Sequence, residues 1–226
     1  PKPSSAASDV YKRQSYDTDA VQLVATSLLT PRTVLDVRPD GSSTVLKTQQ
    51  VPGFDAEQYV EERVWVPGRD GTRLPLDIAR RIDVEPDGSN PGYLYGYGSY
   101  EVSIDPAFSV LRLSMLDRGV VYALAHPRGG GEMGRAWYDQ GKLLDKHHTF
   151  DDFVDCGRWL VEQGWVSSDR LAAEGGSAGG LLIGASINQA PELFRAVHAA
   201  VPFVDALTTI LDPTLPLTVG AVSYTH

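Results

Sequence analysis

The sequence contains little cysteine and no long apolar segment, and each shortage excludes a class of protein. Its 226 residues include one cysteine, Cys156, so an internal disulfide framework and a metal site built from several cysteines are both excluded. So little cysteine is typical of reducing compartments, and we expect a cytoplasmic protein. No run of about 18 apolar residues occurs, so the sequence predicts no membrane-spanning helix.

Basic side chains are also in the minority. The 20 Lys and Arg residues face 29 Asp and Glu residues, which gives a formal charge of −9. This balance argues against nucleic acid or an anionic membrane as the main partner, and it leaves room for a cationic substrate. A hydrophobic fraction of 42% is ordinary for a globular protein that can bury a core.

Both ends of the sequence look foreign to the rest. The chain starts at Pro1 rather than Met, and residues 1–14 show no helical or strand periodicity and no signal-peptide pattern. Residues 5–14 and 222–226 resemble translated sequencing-adapter read-through. We therefore interpret 1–14 and 221–226 as foreign tails, and we expect the chain to be an internal part of a longer protein.

Residues 15–58 predict antiparallel strands that are too few to form a domain alone. The apolar stretches lie at 21–27, 33–37 and 43–47. The last two flank the turn Pro39-Asp40-Gly41, and Asp-Gly between extended stretches is a hairpin signal because Gly tolerates positive φ.

From Tyr59 onward the pattern changes, and strands begin to alternate with helices. A second hairpin is predicted around Asp70, followed by strands at 93–95, 120–125, 170–173 and 196–201 and helices at 110–118, 150–163 and 178–189. Thr149 and Asp152 are spaced as a capping box for the middle helix. The β-α-β-α-β order with short links predicts an α/β fold over residues 59–220, with a parallel sheet and helices on both faces.

A serine on a predicted strand-to-helix turn is the most informative feature. Residues 175–180 read Gly-Gly-Ser-Ala-Gly-Gly and match G-x-S-x-G in the context that this pattern requires. Glycines flank Ser177 because side chains there would clash with neighbouring backbone. The amide of Ala178 would lie at a helix N-terminus, where it can stabilise an oxyanion. The motif predicts Ser177 as a nucleophile.

Three glycine-rich motifs carry a resemblance to a known family. Gly175–Gly180, Tyr95–Tyr100 and Arg128–Gly134 together resemble the catalytic domain of the prolyl oligopeptidase family of serine peptidases. Ala178 and the shorter motifs at 103–105, 202–205 and 211–213 are more similar to its oligopeptidase B branch. The resemblance spans about residues 16–220. It implies a seven-bladed β-propeller that caps an α/β-hydrolase domain, with residues 15–58 as the last propeller strands and the crossover.

The resemblance also implies roles for individual residues. Tyr97 would be the side-chain oxyanion donor and would partner the amide of Ala178. Asp105 matches an acidic position near the basic side chain of the substrate, although its usual partner two residues on is Ala107 here. The implied substrates are short peptides, preferentially cleaved after Arg or Lys, and no cofactor or metal is implied.

The base and acid that a serine nucleophile needs have no clear candidates after Ser177. The downstream carboxylates and histidines are Glu192, Asp205, Asp212, His198 and His226. His198 lies in a predicted strand, where we expect a structural role, and His226 belongs to a foreign tail. In the family the triad Asp and His lie further along than this chain runs, and an acidic pair should follow Gly220. We therefore expect the chain as written to be inactive.

Other functions remain open on the sequence alone. Gly129-x-Gly131-x-x-Gly134 formally matches a dinucleotide fingerprint, although His126-Pro127-Arg128 separates it from the preceding strand. His147 and His148 could suggest a metal, but a polar loop explains them as well, and Cys156 fits core packing. An esterase or acylaminoacyl-type hydrolase of the same fold and a non-catalytic binding module are further alternatives.

Overall fold

A four-stranded antiparallel sheet forms the N-terminal part of the structure, a computed structural model that describes residues 7–10, 18–205, 208–209, 212 and 214. Its strands, in spatial and chain order, are β1 Ala7–Val10, β2 Val21–Thr26, β3 Thr33–Val37 and β4 Ser43–Thr48. The predicted hairpin is confirmed, because Asp40 accepts a hydrogen bond from Ser42 N–H at 2.8 Å and Gly41 has φ +82°. Residues 1–14 carry no strand periodicity, yet the backbone of β1 pairs with β2.

A six-stranded mixed sheet follows. Its strands are β5 Tyr59–Pro67, β6 Arg73–Arg81, β7 Gly92–Tyr95, β8 Val121–Ala125, β9 Leu171–Gly176 and β10 Ala196–Ala200. They are arranged in the order β10-β9-β7-β8-β6-β5. Strands β10, β9, β7 and β8 are parallel to one another, whereas β6 is antiparallel to both of its neighbours, β8 and β5. The predicted α/β class and the second hairpin are confirmed.

Helices cover both faces of this sheet. They are α1 Val110–Leu116, α2 Arg135–Asp139, α3 His147–Glu162 and α4 Ala178–Gln189, with 3₁₀ turns at Ala56–Gln58 and Leu143–Asp145. The apolar stripe of α3 and the inner side of α4 bury Phe153, Leu160 and Leu182 on one face. On the other face α1 packs Leu113 and Leu116 against Leu124 of β8. Cys156 is buried in α3, as predicted.

The segment after β2 packs against the part of the fold that contains the mixed sheet. Leu28 and Leu29 are buried in the same apolar cluster as α1. Glu61 of β5 accepts hydrogen bonds from Ser27 Oγ at 2.5 Å and from Leu29 N–H at 3.0 Å. The N-terminal sheet is therefore tied to the mixed sheet by apolar burial and by a carboxylate that satisfies two donors.

The predicted capping box at the start of α3 is wrong. The helix begins at His147, so Thr149 lies inside its first turn, where its Oγ1 donates to the carbonyl of Arg128 at 2.6 Å. Asp152 accepts hydrogen bonds from the Arg128 guanidinium at 2.5 and 2.8 Å. Both side chains therefore bind a distant loop rather than the helix end, and for Asp152 the reason is that a buried guanidinium must be paired.

Most of the buried apolar side chains form two clusters, one on each face of the mixed sheet. No helix in that part of the chain combines the length and the apolar character that crossing a bilayer requires.

Candidate active site

Ser177 lies on a strained turn between the end of β9 and the start of α4. Its φ is +54° and its ψ is −115°, a conformation that L-residues rarely adopt, and the residue is exposed. The turn is fixed by the backbone, since Ser177 N–H donates to Ala200 O at 2.9 Å and Phe203 N–H donates to Ser177 O at 3.0 Å. Strain at an exposed, rigidly held serine is a feature of nucleophiles rather than of packing residues.

The glycines around Ser177 permit close backbone contacts. A Cβ on Gly175 would lie 2.2 Å from the carbonyl oxygen of Gly179, and one on Gly180 would lie 2.5 Å from Pro202 Cα. A Cβ on Gly176 would meet nothing closer than 3.6 Å. A side chain would therefore clash two residues before the serine and two and three residues after it, but not immediately before it.

The amide of Ala178 has the geometry expected of an oxyanion donor. Ala178 is the first residue of α4, so its N–H has no carbonyl four residues earlier within the helix. Its methyl group is buried, and the amide lies at the positive end of the helix dipole next to Ser177.

The loop after β7 brings Tyr97 against the same turn. A Cβ on Gly179 would lie 2.9 Å from Gly96 O and 3.3 Å from Cδ2 of the Tyr97 ring, so the loop and the first turn of α4 are in contact. Tyr97 is half-buried, and burial raises the pKa of its phenol, which keeps the hydroxyl protonated as a donor. Ser177, Ala178 and Tyr97 thus lie together, while the roles assigned to them stay predictions.

Asp105 is exposed and lines a cavity of about 380 Å³ on the face of the sheet that α1 covers. Tyr95 and Glu174 line the same cavity. Its role in substrate binding is a prediction that the geometry permits, because the carboxylate is open to solvent. Ala107, in the place of the second acid, also lines the cavity.

Glu174 is a polar residue of this region that the sequence analysis missed. It lies on β9 three residues before Ser177, accepts a hydrogen bond from Tyr93 OH at 2.6 Å, and lies 3.2 Å from His198 Nδ1 across the strand pair. Burial, aided by this bond, raises the pKa of Tyr93. The alternation of side chains along β9 was the available signal, since it directs Glu174 to the face of the sheet opposite α3 and α4.

His198 is mostly exposed on β10 and faces Glu174, as its expected structural role requires. Among the described residues, none of the four histidines hydrogen-bonds to Ser177 Oγ. His126, which sequence reasoning also missed, is fully buried between Asp77 at 2.8 Å and Glu132 at 3.5 Å. Both of its ring nitrogens face carboxylates, so it is not a base for an exposed serine. His226 lies outside the described residues.

The glycine loop that matched a dinucleotide fingerprint serves loop packing. A Cβ on Gly129 would lie 2.3 Å from Gly98 O, and one on Gly131 would lie 2.3 Å from Glu101 O. The loop therefore packs its backbone against the segment that follows Tyr97, and the helix after Gly134 has only five residues. His147 and His148 bond to backbone carbonyls, and the described residues hold no cluster of metal-ligating side chains.

Known proteins resemble nearly the whole chain. A profile of the prolyl oligopeptidase family matches residues 106–225. The chain is 55% identical over 203 residues to dipeptidyl aminopeptidase BI of Pseudoxanthomonas mexicana, with 89% of this chain and 28% of that protein covered. It is 44% identical over 211 residues to protease 2 of Moraxella lacunata, with 92% of this chain and 31% of that protein covered.

The fold agrees with these matches. The structure of oligopeptidase B from Leishmania major superposes with a TM-score of 0.92 at 42% identity, covering 99% of this chain and 32% of that one. The chain thus spans about a third of the length of its relatives. The mixed sheet is part of an α/β-hydrolase domain, and the sheet before it is the end of a β-propeller. Because the matched profile spans more than half of the chain, the chain belongs to the prolyl oligopeptidase family.

Proposed function

We propose that this chain is the nucleophile-bearing part of a serine oligopeptidase. The observation that carries the proposal is Ser177, exposed at a φ of +54° on a turn whose glycines admit no side chain at Gly175 or Gly180. The positive φ of Ser177 costs conformational energy, and no packing contact needs its hydroxyl. Both features favour a role in nucleophilic catalysis over a turn that has lost its function.

The proposed reaction is acyl transfer from a peptide bond. Ser177 Oγ attacks the carbonyl carbon and gives its proton to a base, and the carbonyl oxygen becomes an oxyanion. The Ala178 N–H and the Tyr97 O–H donate to that oxygen, where charge develops in the transition state. The C–N bond then breaks, the amine leaves with the proton from the base, and water hydrolyses the ester on Ser177.

The base and its orienting acid are supplied, in this proposal, from outside the described residues. His126 is buried between two carboxylates, and His198 faces Glu174. The chain as written is therefore expected to be inactive, because a neutral serine hydroxyl is a weak nucleophile without a base.

We propose short peptides with a basic side chain as the substrates, and a cytoplasmic location. The exposed carboxylate of Asp105 and the excess of negative charge support the basic preference. One acid gives less discrimination than two, so Ala107 predicts a weaker preference than a pair of carboxylates would give.

The name of one relative favours a second candidate. The 55% identical protein from Pseudoxanthomonas mexicana is a dipeptidyl aminopeptidase, which suggests release of dipeptides from a free N-terminus. Blocking the N-terminus of a peptide separates the two candidates. An endopeptidase cleaves the blocked peptide, whereas a dipeptidyl aminopeptidase does not.

The test begins with the source DNA read beyond the codon of residue 226. The chain as written and the complete reading frame are then expressed and treated with a fluorophosphonate, which labels activated serines. We expect labelling of the complete product, its loss in Ser177→Ala, and no labelling of the chain alone. Ser168→Ala, at an exposed serine of the α3–β9 loop, is the matched control. A complete product that stays unlabelled would favour a binding module.

A further inference from the structure

Lys146 is a buried lysine beneath the loop that carries Tyr97. It lies immediately before α3 and is 9% exposed. Its Nζ donates to the carbonyl of Gly98 at 2.6 Å and to Ser99 Oγ at 2.7 Å. Both acceptors lie within two residues of Tyr97, so the amine holds the loop directly after the proposed oxyanion donor.

The two glycines that flank Tyr97 also have close contacts with the rest of the fold. Gly96 N–H donates to Glu174 O at 3.1 Å, and a Cβ on Gly96 would lie 2.7 Å from the Phe153 ring. Gly98 has φ +65°, and a Cβ there would lie 2.4 Å from Thr149 Cγ2. Tyr97 therefore lies between two anchored glycines, and on the far side Lys146 provides side-chain hydrogen bonds to the loop.

Burying an amine is costly. Burial lowers the pKa of Lys146 to about 7, which records the free energy that the charged form loses away from water. A methionine of similar length would fill the same space without this cost. Methionine could not donate a hydrogen bond to the Gly98 carbonyl. The amine of Lys146 therefore contributes to the conformation of the loop.

We propose that Lys146 is a positioning residue for Tyr97, whose hydroxyl it holds in place for the oxyanion by fixing the Gly98 carbonyl and Ser99. This inference rests on the proposed function, because it assigns Lys146 to the same oxyanion site. A phenol displaced by about 1 Å forms a poorer hydrogen bond in the transition state, where oxyanion donors act.

The experiment is a double-mutant cycle on the complete enzyme that contains this chain, with kcat and KM measured on a short arginyl amide. The variants are Lys146→Met, Tyr97→Phe and the pair. Losing one oxyanion donor costs about 100-fold or more in kcat, so we expect that loss in Tyr97→Phe and at least about a 10-fold loss in Lys146→Met, with KM little changed. In the Tyr97→Phe background, Lys146→Met should change kcat less than about 2-fold.

Lys142→Met is the matched control, since Lys142 lies in the same segment but pairs with Asp139. We expect it to retain wild-type kcat. If Lys146→Met causes the same loss in the wild type and in the Tyr97→Phe background, the inference is overturned, because a general structural role does not depend on the phenol. If Lys146→Met does not fold, Ser99→Ala removes one acceptor and undergoes the same cycle. Full activity of Ser177→Ala would instead refute the proposed function.

Discussion

Replacing Lys146 with methionine should change how the stability of the chain depends on pH. The pKa of Lys146 is about 7 in the folded protein, compared with about 10.4 for a lysine in water. Between these values the unfolded chain keeps a proton that the folded chain has released. The free energy of unfolding of the wild type therefore rises with pH through this range, by about 1.4 kcal/mol per pH unit from this one group.

Lys146→Met lacks this contribution. The difference in unfolding free energy, wild type minus variant, should therefore increase by about 2–3 kcal/mol from about pH 7.5 to about pH 9.5. This difference can be measured by urea unfolding, monitored by circular dichroism, at three pH values within that range. Taking the difference cancels the contributions of groups that titrate in both proteins. Tyr59 is one of them, since its hydrogen bond to Asp117 raises the pKa of its phenol to about 12.

Lys142→Met provides the control, because its amine lies in a partly exposed ion pair with Asp139. For this variant the difference from the wild type should stay constant across the same range. Parallel curves for Lys146→Met and the wild type would refute the reasoning, because they would mean that the buried amine keeps its proton in the fold.

Four substitutions probe the site and its support by thermal or urea unfolding. Ser177→Gly should stabilise the fold by about 1 kcal/mol, since glycine tolerates the positive φ, and a loss of stability would contradict the strain argument. Gly180→Ala should cost about 1–3 kcal/mol because its Cβ would lie 2.5 Å from a backbone Cα, whereas Gly176→Ala, with nothing closer than 3.6 Å, should be tolerated. Asp152→Asn should cost about 3 kcal/mol, because it removes the buried carboxylate that pairs with Arg128 and leaves the guanidinium to the partly exposed Asp70, and a near-neutral result would show that the buried pair is dispensable.

Helices and turns were predicted correctly where neighbouring residues in the sequence determine their bounds. The helix predicted at 178–189 has those bounds in the structure, because glycines and a proline delimit it in the sequence itself. The hairpin around Asp40 and the apolar stripe of α3 were likewise predictable, since a turn residue and a periodic pattern act within a few positions.

Prediction failed where a side chain had a partner far away in the sequence. Thr149 and Asp152 have the spacing of a capping box, but Asp152 pairs with the buried guanidinium of Arg128, because an unpaired buried charge costs more than a lost helix cap. Thr149 Oγ1 donates to the main-chain carbonyl of the same residue. Glu174 was missed for the same reason, since its partners Tyr93 and His198 lie on two neighbouring strands of the sheet.

The nucleophile candidate and the resemblance to the family could both be recognised from the sequence. Ser177 and its glycines are contiguous, and the turn they form needs only residues that fit a positive φ and a close backbone approach. The surroundings of that serine depend on how distant segments pack in the fold. This packing places Tyr97 against the first turn of α4, Lys146 beneath the Tyr97 loop, and His126 between two buried carboxylates. These contacts join segments tens of residues apart, and sheet order and packing determine them, not the spacing of residues along the chain.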